Sequence, residues 1–372
     1  MFKKIKLKIN IILMKIKYIK LRHQKISKNV FKKKGTESLN FGLSILKVIL
    51  SFLVVCVHNF NRKTTTNEYI LNFTKERYLH VPSFFIMSFY FMSKHFLSID
   101  FKMFIKRLIR LLIPYIIWPI FFWKLNQYFN RHYHMKLPDT YEVLKQQLLL
   151  ANKYMFPLWF QLNLIAMTIA FFIIIFIFRK HSLFILQVLL LLSYYLQYSK
   201  YNYNNFFRRN PYYNVLSIKS IPESIPFAVT GFTLGYYKVL DIIQKHKIKT
   251  FVLSYLTYKI IEDYNVLTPI RNVIYTGVKL NVQSICLIFI FSLFPSYLVT
   301  NNLIRKLLII LTNYTGGIYY LHVPIKMYLN YYSEDIKKGN FLGIIKTYVF
   351  IYFICAIGMS LLGKTPFKYL FY

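Results

Sequence analysis

From residue 41 onward the chain alternates long apolar runs with short polar breaks. The runs predict helices near 41–60, 81–97, 108–128, 157–178, 182–199, 223–238, 249–264, 281–299, 305–328 and 343–363. Most come close to the roughly 20 residues that a helix needs to cross a bilayer. Runs this long and this numerous exceed what one globular core would bury. The expected fold class is an all-α integral membrane protein with about ten transmembrane helices.

Composition fits that picture. Of the 372 residues, 56% are hydrophobic and 19% aromatic, and the mean hydropathy is +0.39. The formal net charge of +37 raises a second class, because a nucleic-acid binder can be equally basic. Such a binder would leave the apolar runs unexplained. Lysines and arginines at helix ends, where the cytoplasmic side and anionic headgroups favour them, explain both features. The expected partner is therefore membrane lipid and not nucleic acid.

Residues 1 to 34 hold 13 Lys or Arg and no Asp or Glu. No uninterrupted apolar stretch follows the first charges, so this is not a secretory signal. It reads as a basic cytoplasmic extension over 1–37, either lying on an anionic leaflet or disordered, ahead of a membrane domain over 38–372. With that extension inside, the inner loops fall at 98–107, 179–181, 239–248 and 300–306, and they are short and basic. Ten helices then put both termini in the cytoplasm. The membrane is a plasma or inner membrane, or an endomembrane in a eukaryote. Asn72 opens a glycosylation sequon in an expected outer loop.

Cys56, Cys286 and Cys355 each sit inside an apolar run, as small buried hydrophobes do. His132 and His134 have no acidic or cysteine partners at ligand spacing, so no metal site is expected.

The first run, "SILKVILSFLVVCVHNF", carries two ionisable groups. Each helical residue turns about 100°, so the eleven steps from Lys47 to His58 close to about 20° and rise about 16 Å. Ser44 and Ser51 fall within about 60° of the same line. One polar stripe therefore runs the length of the helix. Turned to hydrocarbon it would cost at least a few kcal/mol, so it is expected to face other helices or a cavity. Taken singly, Lys47 can snorkel to the interface and His58 can sit at the opposite one.

With those residues in view, the sequence resembles the acyltransferase 3 family of integral-membrane acyltransferases, which includes O-acetyltransferases of O-antigen and other surface glycans. The likeness covers nearly everything after residue 38. That family carries an arginine, ten intervening residues and a histidine in its first helix, with an acid three residues before the arginine. Here His58 matches, while Lys47 stands for the arginine and Ser44 for the acid. "FFIMSFY" resembles a Phe-Phe-x-x-Ser-Gly-Tyr segment, with Ser88 and Tyr90 in place and Phe89 for glycine. "KRLIRLLIPYIIW" supplies Arg107, Arg110, Pro114 and Trp118 of a basic stretch before a proline-containing helix. "PLWFQLNLI", "IPFAVTGFTLG" and "TGGIYYLHVPI" complete the order, bringing Trp159, Pro226, Gly231 and His322.

The resemblance implies transfer of an acyl group, such as acetyl, from cytoplasmic acyl-CoA to a hydroxyl of a cell-surface or lipid-linked glycan. Acyl-CoA is then a co-substrate, with no permanently bound cofactor. Arg107 and Arg110 share a helix face and would take the CoA phosphates, because guanidinium forks suit phosphate oxygens. Lys47 would add a third charge. His58 would act as general base on the sugar hydroxyl, or accept the acyl group itself. His322 falls near the same membrane level and would orient His58 or bind acceptor. Ser88 and Tyr90 would hydrogen-bond substrate, and Trp159 would stack on a sugar. Glu223 is a further candidate for a polar partner in the cavity. Two other readings stay open: a multi-pass glycolipid or solute transporter, and a diverged member without catalysis. Oligomeric state is not legible.

Overall fold

The computed structural model describes residues 41–59, 79–133, 141, 158–198, 216–263, 277–294, 302–329, 332–335 and 340–371. The basic extension over 1–37, Asn72 and His134 lie outside them. Every element among the described residues is helical. In chain order they are α1 (Phe41–Asn59), α2 (His80–Leu97), α3 (Phe101–Tyr133), α4 (Leu158–Phe178), α5 (Ser182–Tyr198) and α6 (Leu216–Tyr236). There follow α7 (Val239–Ile243), α8 (Lys247–Asp263), α9 (Val278–Ser292), α10 (Asn302–Asn313), α11 (Thr315–Leu329) and α12 (Phe341–Leu362). A 3₁₀ turn at Pro366–Leu370 comes after α12.

Among the described residues, four segments are long and apolar enough to cross a bilayer: Phe41–His58, Phe101–Leu125, Leu158–Gln197 and Phe341–Leu362. The third spans 40 residues and holds two helices, α4 and α5, with a 3₁₀ turn at Arg179–His181 between them. The run expected as one helix over 305–328 is broken at Tyr314 into α10 and α11. Gly316 and Gly317, poor helix formers, lie just past that break. At the other end of the chain, α3 begins at Phe101, inside what the sequence reads as a loop.

The bundle keeps its buried polar residues within an apolar core and turns oily side chains outward, the arrangement expected in lipid. Leu191, Val349 and Phe353 are 60 to 66% exposed, whereas Asn163, Thr168 and His322 are fully buried. Helix α1 is central and packs against α2, α9, α10, α11 and α12. Its register is fixed by side chains that reach its backbone. Thr312 Oγ1 donates to the Ser44 carbonyl at 3.4 Å, and Lys326 Nζ to the His58 carbonyl at 2.6 Å. The α10–α11 unit thus runs parallel to α1. Helix α12 runs the other way, with Phe341 beside Phe52 and Tyr348 bonded to Ser51 and Val48.

The tightest pairing is α2 on α6, through "GFTLG". A methyl at Gly231 would stand 2.2 Å from the Ile86 carbonyl oxygen, and one at Gly235 2.1 Å from Ser93 Oγ. The two glycines, four residues apart, let the helix backbones touch. The same helix carries Pro222 and Pro226. Pro226 has no N–H, so the Pro222 carbonyl loses its helical partner. The side chains of Ser193 and Gln197 on α5 donate to it instead.

Candidate functional site

The polar stripe of α1 faces inward, but its members have different partners. Ser51 Oγ lies 2.8 Å from the Tyr348 hydroxyl and donates to the Val48 carbonyl at 2.7 Å. Tyr348 in turn lies 3.3 Å from Tyr352. The middle of the stripe is therefore held by tyrosines of α12. Ser44 is buried near Thr312. Lys47 Nζ lies 5.1 Å from the centre of the Phe91 ring, a cation–π distance.

From Lys47 two more cations follow in series. Arg107 and Arg110 lie close enough to one another, and Arg110 close enough to Lys47, for mutual repulsion. The two arginines differ in surroundings. Arg107 Nη2 donates to Ser88 Oγ at 2.7 Å and its Nε to Thr168 Oγ1 at 2.9 Å. Its guanidinium carbon is 5.5 Å from the Phe89 ring centre. Arg107 thus ties α2, α3 and α4 together. Ser88, read in the sequence as a substrate contact, accepts one of its bonds. Arg110 is exposed and lies 5.9 Å from the Tyr369 ring centre. Phe89 stands where the family has glycine, yet it is fully buried and 4.7 Å from the Phe171 ring. The added ring is part of the aromatic core.

Toward the Asn59 end of α1, His58 and His322 come together, with ring centres 4.8 Å apart and planes inclined by 33°. His322 is fully buried, and its Nδ1 lies 3.1 Å from the Ile318 carbonyl. A carbonyl only accepts, so Nδ1 carries the proton and Nε2 keeps its lone pair. Among the described residues, no hydrogen-bond partner meets that Nε2. Buried polar atoms without partners are uncommon and point to a strained or reactive place. His58 is half-buried, and the ammonium of Lys326 rests on its carbonyl.

Between the cations and the histidines stands a bridge that sequence reasoning missed. Gln161 donates through Nε2 to the Leu111 carbonyl at 2.7 Å and accepts at Oε1 from the Tyr320 hydroxyl at 3.0 Å. Tyr320 lies within electrostatic reach of both Arg107 and Arg110, and is two residues from His322. A signal existed: Gln161, Asn163 and Thr168 are the polar residues of an otherwise oily α4. Buried polar groups between membrane helices are there to be paired.

Other predicted residues lie elsewhere. Tyr90 is two residues from Ser88, hence about 200° around α2. It is half-buried, with its backbone carbonyl toward Gly235. Trp159 is buried at the start of α4, 6.3 Å from the Phe160 ring. Glu223 is buried on α6 beside Ser224, whose hydroxyl accepts from Asn163 Nδ2 at 3.0 Å. Among the described residues no group of three or more His, Cys, Asp or Glu could hold a metal ion.

The arrangement offers a cationic cluster toward one end of the α1 stripe, an imidazole pair toward the other, and a hydrogen-bonded bridge between. A family model described as an acyltransferase domain, acyltransferase family 3, matches residues 40–364. Comparisons with curated proteins and with solved structures return no match.

Proposed function

The chain belongs to acyltransferase family 3, and we propose that it transfers an acyl group from acyl-CoA to a hydroxyl of a cell-surface or lipid-linked glycan. The observation that carries this reading is the contact between His58 and His322 at 4.8 Å. A neutral imidazole can take a hydroxyl proton.

In this reading Lys47 and Arg110 bind the phosphates of CoA, while Arg107 holds the three helices that frame them. The pantetheine arm follows the α1 stripe toward His58, past Gln161 and Tyr320. The acceptor hydroxyl gives its proton to the His58 imidazole as its oxygen attacks the thioester carbonyl. Collapse of the tetrahedral intermediate breaks the C–S bond. The proton then passes from the imidazolium to the CoA thiolate, leaving an ester and free CoA thiol. His322, pinned by the Ile318 carbonyl, packs against His58 and limits the orientations open to it. Acyl transfer to His58 itself, before transfer to the hydroxyl, uses the same geometry. The cation cluster faces the cytoplasm and the histidine pair the opposite side.

The direct test incubates membranes containing the full chain with radiolabelled acetyl-CoA and follows label into glycan or glycolipid. Label is expected with the wild-type chain and lost with His58→Ala. Equal incorporation by the two would remove His58 from the chemistry.

A further inference from the structure

The residues after α12 fold back into the bundle and are held there by a socket that two glycines leave open. At Gly358 on α12, a methyl would lie 2.4 Å from the Phe371 ring. At Gly317 on α11 it would lie 2.9 Å from the Phe371 carbonyl oxygen and 2.5 Å from Cys355 Sγ. Trp118 on α3 closes the third side, edge-on to Phe371 at 5.7 Å and 86°. Its indole Nε1 donates to the Leu370 carbonyl at 3.1 Å. Phe371 and Leu370 are both buried.

This anchoring fixes where Tyr369 stands. Its ring lies 5.9 Å from the Arg110 guanidinium carbon and 5.4 Å from Lys368 Nζ. A guanidinium over an aromatic face loses freedom of rotation, and its planar fork is the group that suits phosphate oxygens. Arg110 is the most exposed member of the cation cluster.

We infer that Tyr369, locked in place by the Phe371 socket, is a positioning residue that sets Arg110 for the nucleotide end of acyl-CoA. The inference rests on the acyl-CoA donor proposed above. It makes the Pro366–Leu370 turn a wall of the donor site and not merely a terminus. Tyr369 thereby contributes to discrimination between CoA and donors that lack the nucleotide.

The test is calorimetric titration of the detergent-solubilised full chain with CoA and, separately, with pantetheine, which lacks the nucleotide phosphates and adenosine. Wild type is expected to bind CoA more tightly than pantetheine. Tyr369→Ala is expected to weaken CoA binding roughly 3- to 30-fold, the equivalent of one cation–π contact, and to narrow the CoA-to-pantetheine ratio by the same factor. Tyr369→Phe keeps the ring and should restore the wild-type ratio. Phe371→Ala, which frees the turn without touching Tyr369, should lower the ratio in the same direction. A merely structural role would lower melting temperature and weaken both ligands alike. Unchanged CoA affinity in a Tyr369→Ala protein of wild-type melting temperature overturns this inference and leaves the donor assignment standing. Failure of wild type to bind CoA overturns the donor assignment, and this inference with it.

Discussion

His58 and His322 are 264 residues apart in sequence (322 minus 58), yet their imidazoles are in contact at 4.8 Å. The Lys326 ammonium helps hold them so. The His58 carbonyl is among the last four of α1, which have no helical partner, and a cation suits the negative end of a helix. If His322 acts by packing on His58, His322→Ala should lower acyl transfer, and adding it to His58→Ala should cost little more. Rates for wild type, both single variants and the double variant check this. Additive losses in the double variant would mean that the two histidines act separately.

Arg107 makes two charge-assisted bonds at once, to Ser88 and Thr168. Lysine offers a point charge in place of a fork and cannot reproduce that pair. Arg107→Lys should therefore destabilise the protein by about 1.5–3 kcal/mol, the worth of one hydrogen bond to a charged group. Thermal unfolding in detergent measures it. A variant as stable as wild type would show that the fork is dispensable.

Gly231 and Gly235 predict an ordered pair of effects. The neighbour that a methyl would meet at Gly231 is the Ile86 backbone, which cannot move without shifting α2. At Gly235 it is first the Ser93 hydroxyl, which can rotate, although Ser93 Cβ and the Tyr90 carbonyl oxygen both follow at 2.7 Å. Gly231→Ala should cost about 1–3 kcal/mol and Gly235→Ala less. Melting temperatures of the two variants rank them, and the reverse order would contradict the packing described.

The bond between Ser51 and Tyr348 should show as coupling. Ser51→Ala and Tyr348→Phe are each expected to cost about 0.5–1.5 kcal/mol. Together they should cost less than their sum, because either one already removes the 2.8 Å contact. Strict additivity in unfolding measurements would indicate that the hydroxyls do not meet.

The ends of the site were legible in the sequence and its middle was not. A lysine and a histidine in an apolar run stand out, and helical spacing alone aligns them. Arg107 and Arg110 were legible as cations. That Arg107 ties helices together while Arg110 is exposed depends on how α2 and α4 pack on α3, through Ser88 and Thr168, 19 and 61 residues from Arg107. Tyr320 and Tyr369 carried no signal in a chain with 33 tyrosines. Their roles come from partners 159 and 259 residues distant, Gln161 and Arg110 (320 minus 161, 369 minus 110). The break at Tyr314 was hidden for another reason. The apolar runs on either side of residues 313–317 read as one across it, because hydrophobic period reports burial rather than helix continuity.

Everything proposed for this site turns on His58 in acyl transfer to a glycan. Its most direct test is mass spectrometry of surface and lipid-linked glycans from a host lacking this gene, complemented with wild type or with His58→Ala. An O-acyl group is expected to disappear on deletion, return with wild type and stay absent with His58→Ala at equal protein level. Full return of the acyl group with His58→Ala would contradict that role for His58.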